Sequence, residues 1–119
     1  MSETDGKTPE PGELTLHADA AARFLKGLAN PQRLMILCRL IEGEMNVGEL
    51  VAATGISQTS MSQHLARLKE EGIVSARREH RVLFYRISHD GASAIMDLLH
   101  RTFCEVPPVE ASGGQPRPR

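Results

Sequence analysis

The sequence of 119 residues lacks the features of several common protein classes. Its only two cysteines are 66 positions apart, so it has no Cys-x-x-Cys pair for catalytic thiol exchange. It also has no glycine-rich phosphate loop and no set of nucleophile, base and orienting residue. The longest apolar run, residues 34–38, is far too short to cross a bilayer, and the first residues do not resemble an export signal. These absences predict a cytoplasmic, non-enzymatic protein with no membrane partner.

The net charge of −1 does not point to a nucleic-acid partner, but the charges are unevenly distributed. Residues 1–13 carry a net charge of −3, whereas residues 14–104 carry 11 Lys and Arg against 9 Asp and Glu, a net charge of +2. The length suits one domain with a modest core. We predict a disordered acidic arm at 1–13, one folded domain at 14–106 and a flexible proline-rich tail at 107–119.

Residues 47–72 have the pattern of two short helices separated by a tight turn. The first helix begins near Val47, with apolar residues at i, i+3 and i+4. Gly55 can end that helix, and Ser57 can cap the second, which we predict at 58–71. The apolar face of the second helix consists of Met61, Leu65 and Leu68.

The opposite face of the second helix has short hydrogen-bonding side chains, one cation and no large apolar group. Such a face suits the major groove of DNA, where Gln and Arg pair with base edges and Ser or Thr contact bases or phosphates. A helical hairpin with a merely solvated face has the same pattern. As a recognition helix, the segment offers these candidate DNA contacts: Ser57, Gln58, Thr59, Ser60, Ser62, Gln63, His64 and Arg67.

Two β-like runs follow at 73–78 and 82–87, with basic residues between and beside them. A hairpin with a basic tip directly after a recognition helix is typical of the wing of a winged helix-turn-helix, which favours DNA binding. Its basic side chains would lie over phosphates and supply affinity and salt dependence rather than sequence choice. The candidates are Arg77, Arg78, His80 and Arg81.

Three more helices are predicted around this unit. One covers residues 16–29, and another runs from Pro31 to about 42 with Leu34, Leu37 and Ile41 facing inward. After the wing, Ser88 could cap a last helix that ends near Phe103 or Cys104 and buries Ala92, Ile95 and Leu99. The predicted fold is mainly α with a small β-hairpin wing, in the order α1-α2-α3-α4-β1-β2-α5.

The first and last helices have more apolar surface than one small domain can bury. We therefore expect a homodimer, which would present two recognition helices to the two half-sites of a palindromic operator.

Three segments of the sequence resemble the ArsR/SmtB family of bacterial winged-helix repressors: LANPQRLMILCRL at 28–40, VGELVAATGISQTSMSQHLARLKEEGIV at 47–74 and REHRVLFYRIS at 78–88. The resemblance implies a homodimer that binds double-stranded operator DNA and releases it when an inducer binds. Many inducers in the family are metal ions, but the usual metal positions are not matched. Residues 46–50 have no cysteine, and His89, Asp90 and Glu105 are only fragments of a zinc site.

Cys38 and Cys104 are similar in position to the thiol pair of a dithiol branch of the family, which senses persulfides and other oxidants. The resemblance implies that these two thiols form the sensor and that a disulfide or longer sulfur bridge between them lowers DNA affinity. No cofactor is expected. Because cytoplasmic thiols are kept reduced, such a bridge would be regulatory rather than structural.

Other interpretations of these residues stay open. Burial would raise the pKa of Cys38 and leave it a small hydrophobic residue, with Cys104 incidental. Alternatively, Cys38, His100 and Cys104 could together hold a zinc ion in a metal-responsive repressor, because the last two are four residues apart on one helical face. A DNA-binding protein without any inducer site is the remaining possibility.

Overall fold

The computed structural model describes residues 11–104, which form five helices and one three-stranded antiparallel sheet. The elements are α1 (Pro11–Leu28), α2 (Pro31–Leu40), β1 (Met45–Asn46), α3 (Val47–Thr54), α4 (Gln58–Glu70), β2 (Val74–Glu79), β3 (Val82–Ile87) and α5 (Asp90–Phe103). This order confirms the predicted winged helix-turn-helix. In the described part of the chain, no helix has the length and hydropathy of a membrane span.

Helix α1 belongs to a compact unit that ends at Asn30. It begins five residues before the predicted start, so residues 11–13, assigned to the disordered arm, are helical. Pro11 suits a first helical position, and the Thr15 hydroxyl donates to the Pro11 carbonyl at 3.1 Å. Leu14, Leu16 and Leu25 are exposed on this helix. The rest of the predicted arm and the predicted tail at 107–119 lie outside the described residues.

The second unit, from Pro31 onward, has its core between α2, α3, α4 and the start of the wing. The largest fully buried side chains are Ile36, Leu37, Leu50, Met61, Leu65, Leu68 and Ile73. The predicted buried stripe of α4 is thus confirmed. Helix α2 differs from the prediction, because it ends at Leu40 and is turned so that Ile36, Leu37 and Leu40 are buried while Leu34 and Ile41 are only half-buried. Its sequence is apolar on several sides, so periodicity alone does not select the inner face.

The turn between α3 and α4 is fixed by local chemistry. Asn46 caps α3 by accepting from the Glu49 amide at 2.8 Å, and the Glu49 carboxylate accepts from the Asn46 amide at 3.0 Å, which completes a capping box. Gly55 ends α3 in the left-handed region, with φ of 79°. The Ser57 hydroxyl then accepts from the Ser60 amide at 3.2 Å and caps α4. The predicted roles of Gly55 and Ser57 are confirmed.

The wing pairs β2 with β3 in the register Val74↔Ile87 to Glu79↔Val82, and β1 adds a third strand beside β3. The sequence did not predict β1, because two residues are too few to show an alternating pattern. His80 and Arg81 form the connection at the tip, where His80 has φ of 60°. Histidine adopts this left-handed conformation more readily than β-branched residues do.

The start of α5 also differs from the prediction. His89, not Ser88, is the N-cap, and its Nδ1 accepts from the Ala92 amide at 3.1 Å. Ala92 and Met96 are the buried residues of α5, whereas Ile95 and Leu99 are half-buried. The expected stripe is therefore rotated by about one residue. Leu98 and Phe103 are 53% and 59% exposed, which leaves an apolar surface on this helix.

Candidate dithiol site and nucleic-acid interface

The packing of α5 against α2 brings Cys38 and Cys104 together. The ligand atoms of Cys38, His100 and Cys104 all lie within 4.8 Å of one another, and the two cysteine side chains are hydrogen-bonded. Both cysteines are free thiols; Cys38 is half-buried in α2, and Cys104 is exposed directly after α5. Cys104 is held there by a hydrogen bond from its amide to the His100 carbonyl, at 2.8 Å. The thiols are close enough for chemistry that links them.

Cys38 is a weaker acid than an ordinary cysteine. Burial raises the pKa of the Cys38 thiol, and the charge of Cys104, the hydrogen bond with Cys104 and the charge of Glu42 raise it further. The guanidinium of Arg39 acts in the opposite direction and lowers this pKa. Arg39 is itself paired with Glu42 at 3.5 Å. The direction expected from the burial of Cys38 is confirmed, and the thiol form of this residue is favoured.

The two thiols open onto an apolar cavity of about 370 Å³ between α2, α3 and α5. Its apolar lining consists of Leu34, Met35, Ala53, Met96, Leu99 and Phe103. Arg39, Thr54 and His100 supply the polar groups at its wall. The sequence did not predict this cavity, which depends on how three separate helices pack. Helix α3, the first helix of the helix-turn-helix, contributes Ala53 and Thr54 to the wall of this cavity.

The outward face of α4 has the composition expected of a recognition helix. Gln58, Thr59, Ser62, Gln63 and Arg67 are exposed on it. Two of the remaining candidates serve the cap, since the Ser57 hydroxyl accepts from the amide of half-buried Ser60. Arg67 pairs with Glu71 one turn later, its Nε donating at 3.1 Å. The exposed amide and hydroxyl groups on this face can donate to and accept from base edges.

His64 differs from the other candidate DNA contacts on α4, because its ring forms hydrogen bonds with residues of α2. The Nε of Arg33 donates to Nδ1 at 3.3 Å, so the neutral ring carries its proton on Nε2 and donates it to the Gln32 side-chain oxygen at 2.9 Å. Burial and the charge of Arg33 lower the pKa of His64. Both ring nitrogens are occupied within the protein. The structure thus favours the packing role for His64 over a DNA contact.

Arg77 is likewise engaged in the protein. Its Nε donates to Glu44 at 2.8 Å and its Nη1 to Glu79 at 3.0 Å, while its guanidinium carbon lies 5.0 Å from the centre of the Phe84 ring. These contacts tie the wing to the segment before β1. Arg78, His80 and Arg81 are exposed at or near the tip of the wing. They are the better candidates for phosphate contacts.

The chain matches a protein-family model described as "Bacterial regulatory protein, arsR family" at residues 30–76, from the start of α2 into β2. It is 41% identical over 94 residues to the transcriptional activator HlyU of Vibrio cholerae, covering 79% of this chain and 87% of that protein. It is 43% identical over 99 residues to the biofilm growth-associated repressor of Agrobacterium fabrum, covering 83% and 84% of the two chains.

Solved structures of bacterial transcription regulators have a similar fold. Reduced HlyU from Vibrio cholerae superimposes with a TM-score of 0.74 at 41% identity, covering 77% of this chain and 97% of that chain. A homodimeric winged helix-turn-helix DNA-binding domain from Mycobacterium bovis, described as a possible ArsR-family transcriptional regulator, superimposes with a TM-score of 0.66 at 35% identity. That alignment covers 83% of this chain and 89% of the other.

Proposed function

The chain belongs to the arsR family of bacterial regulatory proteins, which are DNA-binding transcription regulators and not enzymes, and on that premise we propose that it is a thiol-controlled repressor. In this proposal a homodimer binds operator DNA while Cys38 and Cys104 are reduced. A low-molecular-weight persulfide or another oxidant links the two thiols, and the DNA is released. The observation that supports the proposal most directly is the contact between these two thiols, which come from α2 and the end of α5.

The two thiols differ in exposure, and in the proposed mechanism they have different roles. Cys104 is exposed, so its thiolate attacks the outer sulfur of a persulfide RSSH and RSH leaves. Cys38 then attacks the Cys104 sulfur of the new persulfide, a disulfide forms and hydrogen sulfide leaves. A second equivalent of RSSH that adds one sulfur to the Cys104 persulfide before closure would give a trisulfide instead, and two RSH and one hydrogen sulfide would be released in all.

Bridge formation requires the two sulfur atoms to move closer together than they lie in the reduced protein. A disulfide bond is about 2 Å long, whereas the donor atoms of the site are separated by up to 4.8 Å. In the proposed mechanism, forming the bond draws α2 and the end of α5 together, and added sulfur atoms reduce the displacement that is needed. Because α3 lines the neighbouring cavity, the same displacement disturbs the packing of Ala53 and Thr54.

Helix α2 also provides a connection to the recognition helix. Cys38 lies near the C-terminal end of α2. Near the other end of this helix, Gln32 and Arg33 form hydrogen bonds with His64 of α4. A helix moves largely as a rigid body, so a displacement at Cys38 is passed to α4. Allosteric couplings are typically about 1–3 kcal/mol, or roughly 5- to 150-fold in affinity. A small reorientation therefore suffices to release DNA.

The DNA-facing parts are assigned by position and chemistry. The exposed face of α4 enters the major groove, and Arg78, His80 and Arg81 of the wing contact phosphates. A homodimer supplies the second recognition helix. Exposed Leu98 and Phe103 on α5 and the homodimeric state of the Mycobacterium bovis relative support this assembly.

The experiment starts with selection of an operator from a random duplex library by the reduced protein. Affinity for that duplex is then measured by fluorescence anisotropy before and after treatment with a persulfide donor. We expect wild-type affinity to fall by roughly 5- to 150-fold and to recover on reduction. Cys38→Ser and Cys104→Ser should bind like the reduced wild type and not respond. A wild-type protein that carries the bridge by mass spectrometry yet binds with full affinity would refute the sensing mechanism.

A further inference from the structure

We propose that Cys38, His100 and Cys104 form a binding site for a thiophilic divalent cation of the zinc class, with one coordination position left to solvent. This goes beyond the proposed response to oxidants, because metal binding keeps both cysteines reduced. Within residues 11–104 this is the one group of three or more metal-ligating side chains with mutually close donor atoms.

The geometry of the cluster needs only small adjustment. Zn–S and Zn–N bonds of about 2.3 and 2.0 Å in a tetrahedron place neighbouring donor atoms about 3.5 Å apart. The three donors here lie within 4.8 Å of one another without a metal. His100 and Cys104 are one helical turn apart and project from the same side of α5. Cys104 follows the last residue of α5 and is exposed, so it has room to move.

The chemistry of the donor set also suits this ion. Two thiolates and a neutral imidazole are soft or borderline ligands, which favour zinc over magnesium or calcium. With both cysteines ionised, their charge balances that of the divalent cation. A neutral complex is compatible with the apolar wall formed by Met35, Leu99 and Phe103. Because Cys104 is exposed, the cation can reach the site from solvent. Three protein ligands leave the fourth coordination position of a tetrahedral zinc ion for water.

Metal binding and sulfur-bridge formation would exclude each other, because both use the same two sulfur atoms. A bound cation blocks nucleophilic attack by either thiolate. The expected consequence is a slower reaction of the dithiol with persulfide when zinc is present. Conversely, a bridged protein has no thiolates to offer and should bind no cation at this site.

The test is an anaerobic titration of the reduced, full-length protein with Co(II), followed by displacement with Zn(II). We expect one Co(II) per chain, with thiolate-to-cobalt charge-transfer absorption and the visible bands of tetrahedral cobalt. Cys104→Ser and His100→Gln should each bind at least tenfold more weakly. His17→Gln, which changes an exposed histidine of α1, should match the wild type. Circular dichroism checks that each variant is folded.

Two results would overturn the metal site. The first is an absence of charge-transfer absorption in the wild type. The second is a folded His100→Gln variant with wild-type affinity and spectrum. DNA is not used in the titration, so the outcome is independent of whether the protein releases an operator on oxidation. If persulfide produces no bridge but cobalt binds as described, the metal site stands and the oxidant sensor fails.

Discussion

The Nδ1 atom of His64 accepts a hydrogen bond from the Nε atom of Arg33 at 3.3 Å, which joins the recognition helix to the helix that carries Cys38. The Nε2 atom of the same ring donates to Gln32 at 2.9 Å. These contacts connect residues more than 30 positions apart in the sequence. In the proposed mechanism, His64 is the residue through which a displacement of α2 reaches the DNA-binding surface.

Replacement of His64 by alanine should weaken this connection. The loss of one partly buried and one exposed hydrogen bond is expected to cost about 1–2 kcal/mol of stability in urea unfolding. In addition, the reduced and the bridged forms of His64→Ala should bind the operator with nearly equal affinity. His17→Ala, on an exposed part of α1, is the matched control and should leave both quantities unchanged. A full response to oxidation in folded His64→Ala would exclude this route of coupling.

His64 should also make stability depend on pH. Its pKa is lowered from 6.5 by burial and by Arg33, so the unfolded chain binds a proton more readily than the folded protein does. Stability is therefore lost as the pH falls below about 6.5. His64→Gln can replace both hydrogen bonds without titrating. Between pH 8 and pH 5, the wild-type melting temperature should fall more than that of His64→Gln; parallel curves would contradict this assignment.

The parts of the fold that local chemistry determines were predictable from the sequence. Gly55 is required where α3 ends with positive φ, and Ser57 caps α4 with its own hydroxyl. The buried stripe of α4 follows from helical spacing and from polar residues elsewhere on that helix. For these features the relevant contacts lie within a few positions along the chain.

What the sequence did not predict depends on contacts between distant segments. Nothing near Arg77 in the sequence indicates its ion pair with Glu44, which lies 33 positions away. The capping role of His89 was missed because histidine is not among the preferred N-cap residues. The pairing of Cys38 with Cys104 was implied only by family resemblance, since periodicity in α2 and α5 does not reveal which faces meet.

Gln63 tests the assignment of α4 to the major groove. It is exposed on the outward face and can form two hydrogen bonds with an adenine edge. Gln63→Ala should reduce the preference for the selected operator over a scrambled duplex by about 1–3 kcal/mol, with little change in affinity for the scrambled duplex. Anisotropy titrations against both duplexes measure this. An equal loss on both would mean that Gln63 contacts the backbone rather than a base.

The wing arginines should divide into two kinds. Arg78→Ala and Arg81→Ala each remove an exposed charge, so binding should weaken on all duplexes and the slope of log affinity against log salt should flatten by about 1. Arg77→Ala instead removes two ion pairs and the contact with Phe84, so its main effect should be on unfolding. Salt titrations and urea melts of the three variants distinguish the kinds. If the slope of log affinity against log salt flattens in Arg77→Ala as much as in Arg78→Ala and Arg81→Ala, then Arg77 also contacts a phosphate.

The charges around Cys38 provide a test with opposite expected signs. Glu42 raises the pKa of Cys38 and Arg39 lowers it, and the two residues also pair with each other. Glu42→Gln should therefore increase the thiolate fraction of Cys38, both by removing a negative charge and by freeing Arg39. Arg39→Gln should decrease it.

Iodoacetamide labelling of the reduced protein at pH 8, followed by peptide mass spectrometry, gives the rate at Cys38, with exposed Cys104 in the same sample as a reference. Faster labelling in Glu42→Gln and slower labelling in Arg39→Gln are expected. Equal rates at Cys38 in both variants would mean that burial alone controls this thiol, and the proposed resolving step would then be insensitive to these two neighbours.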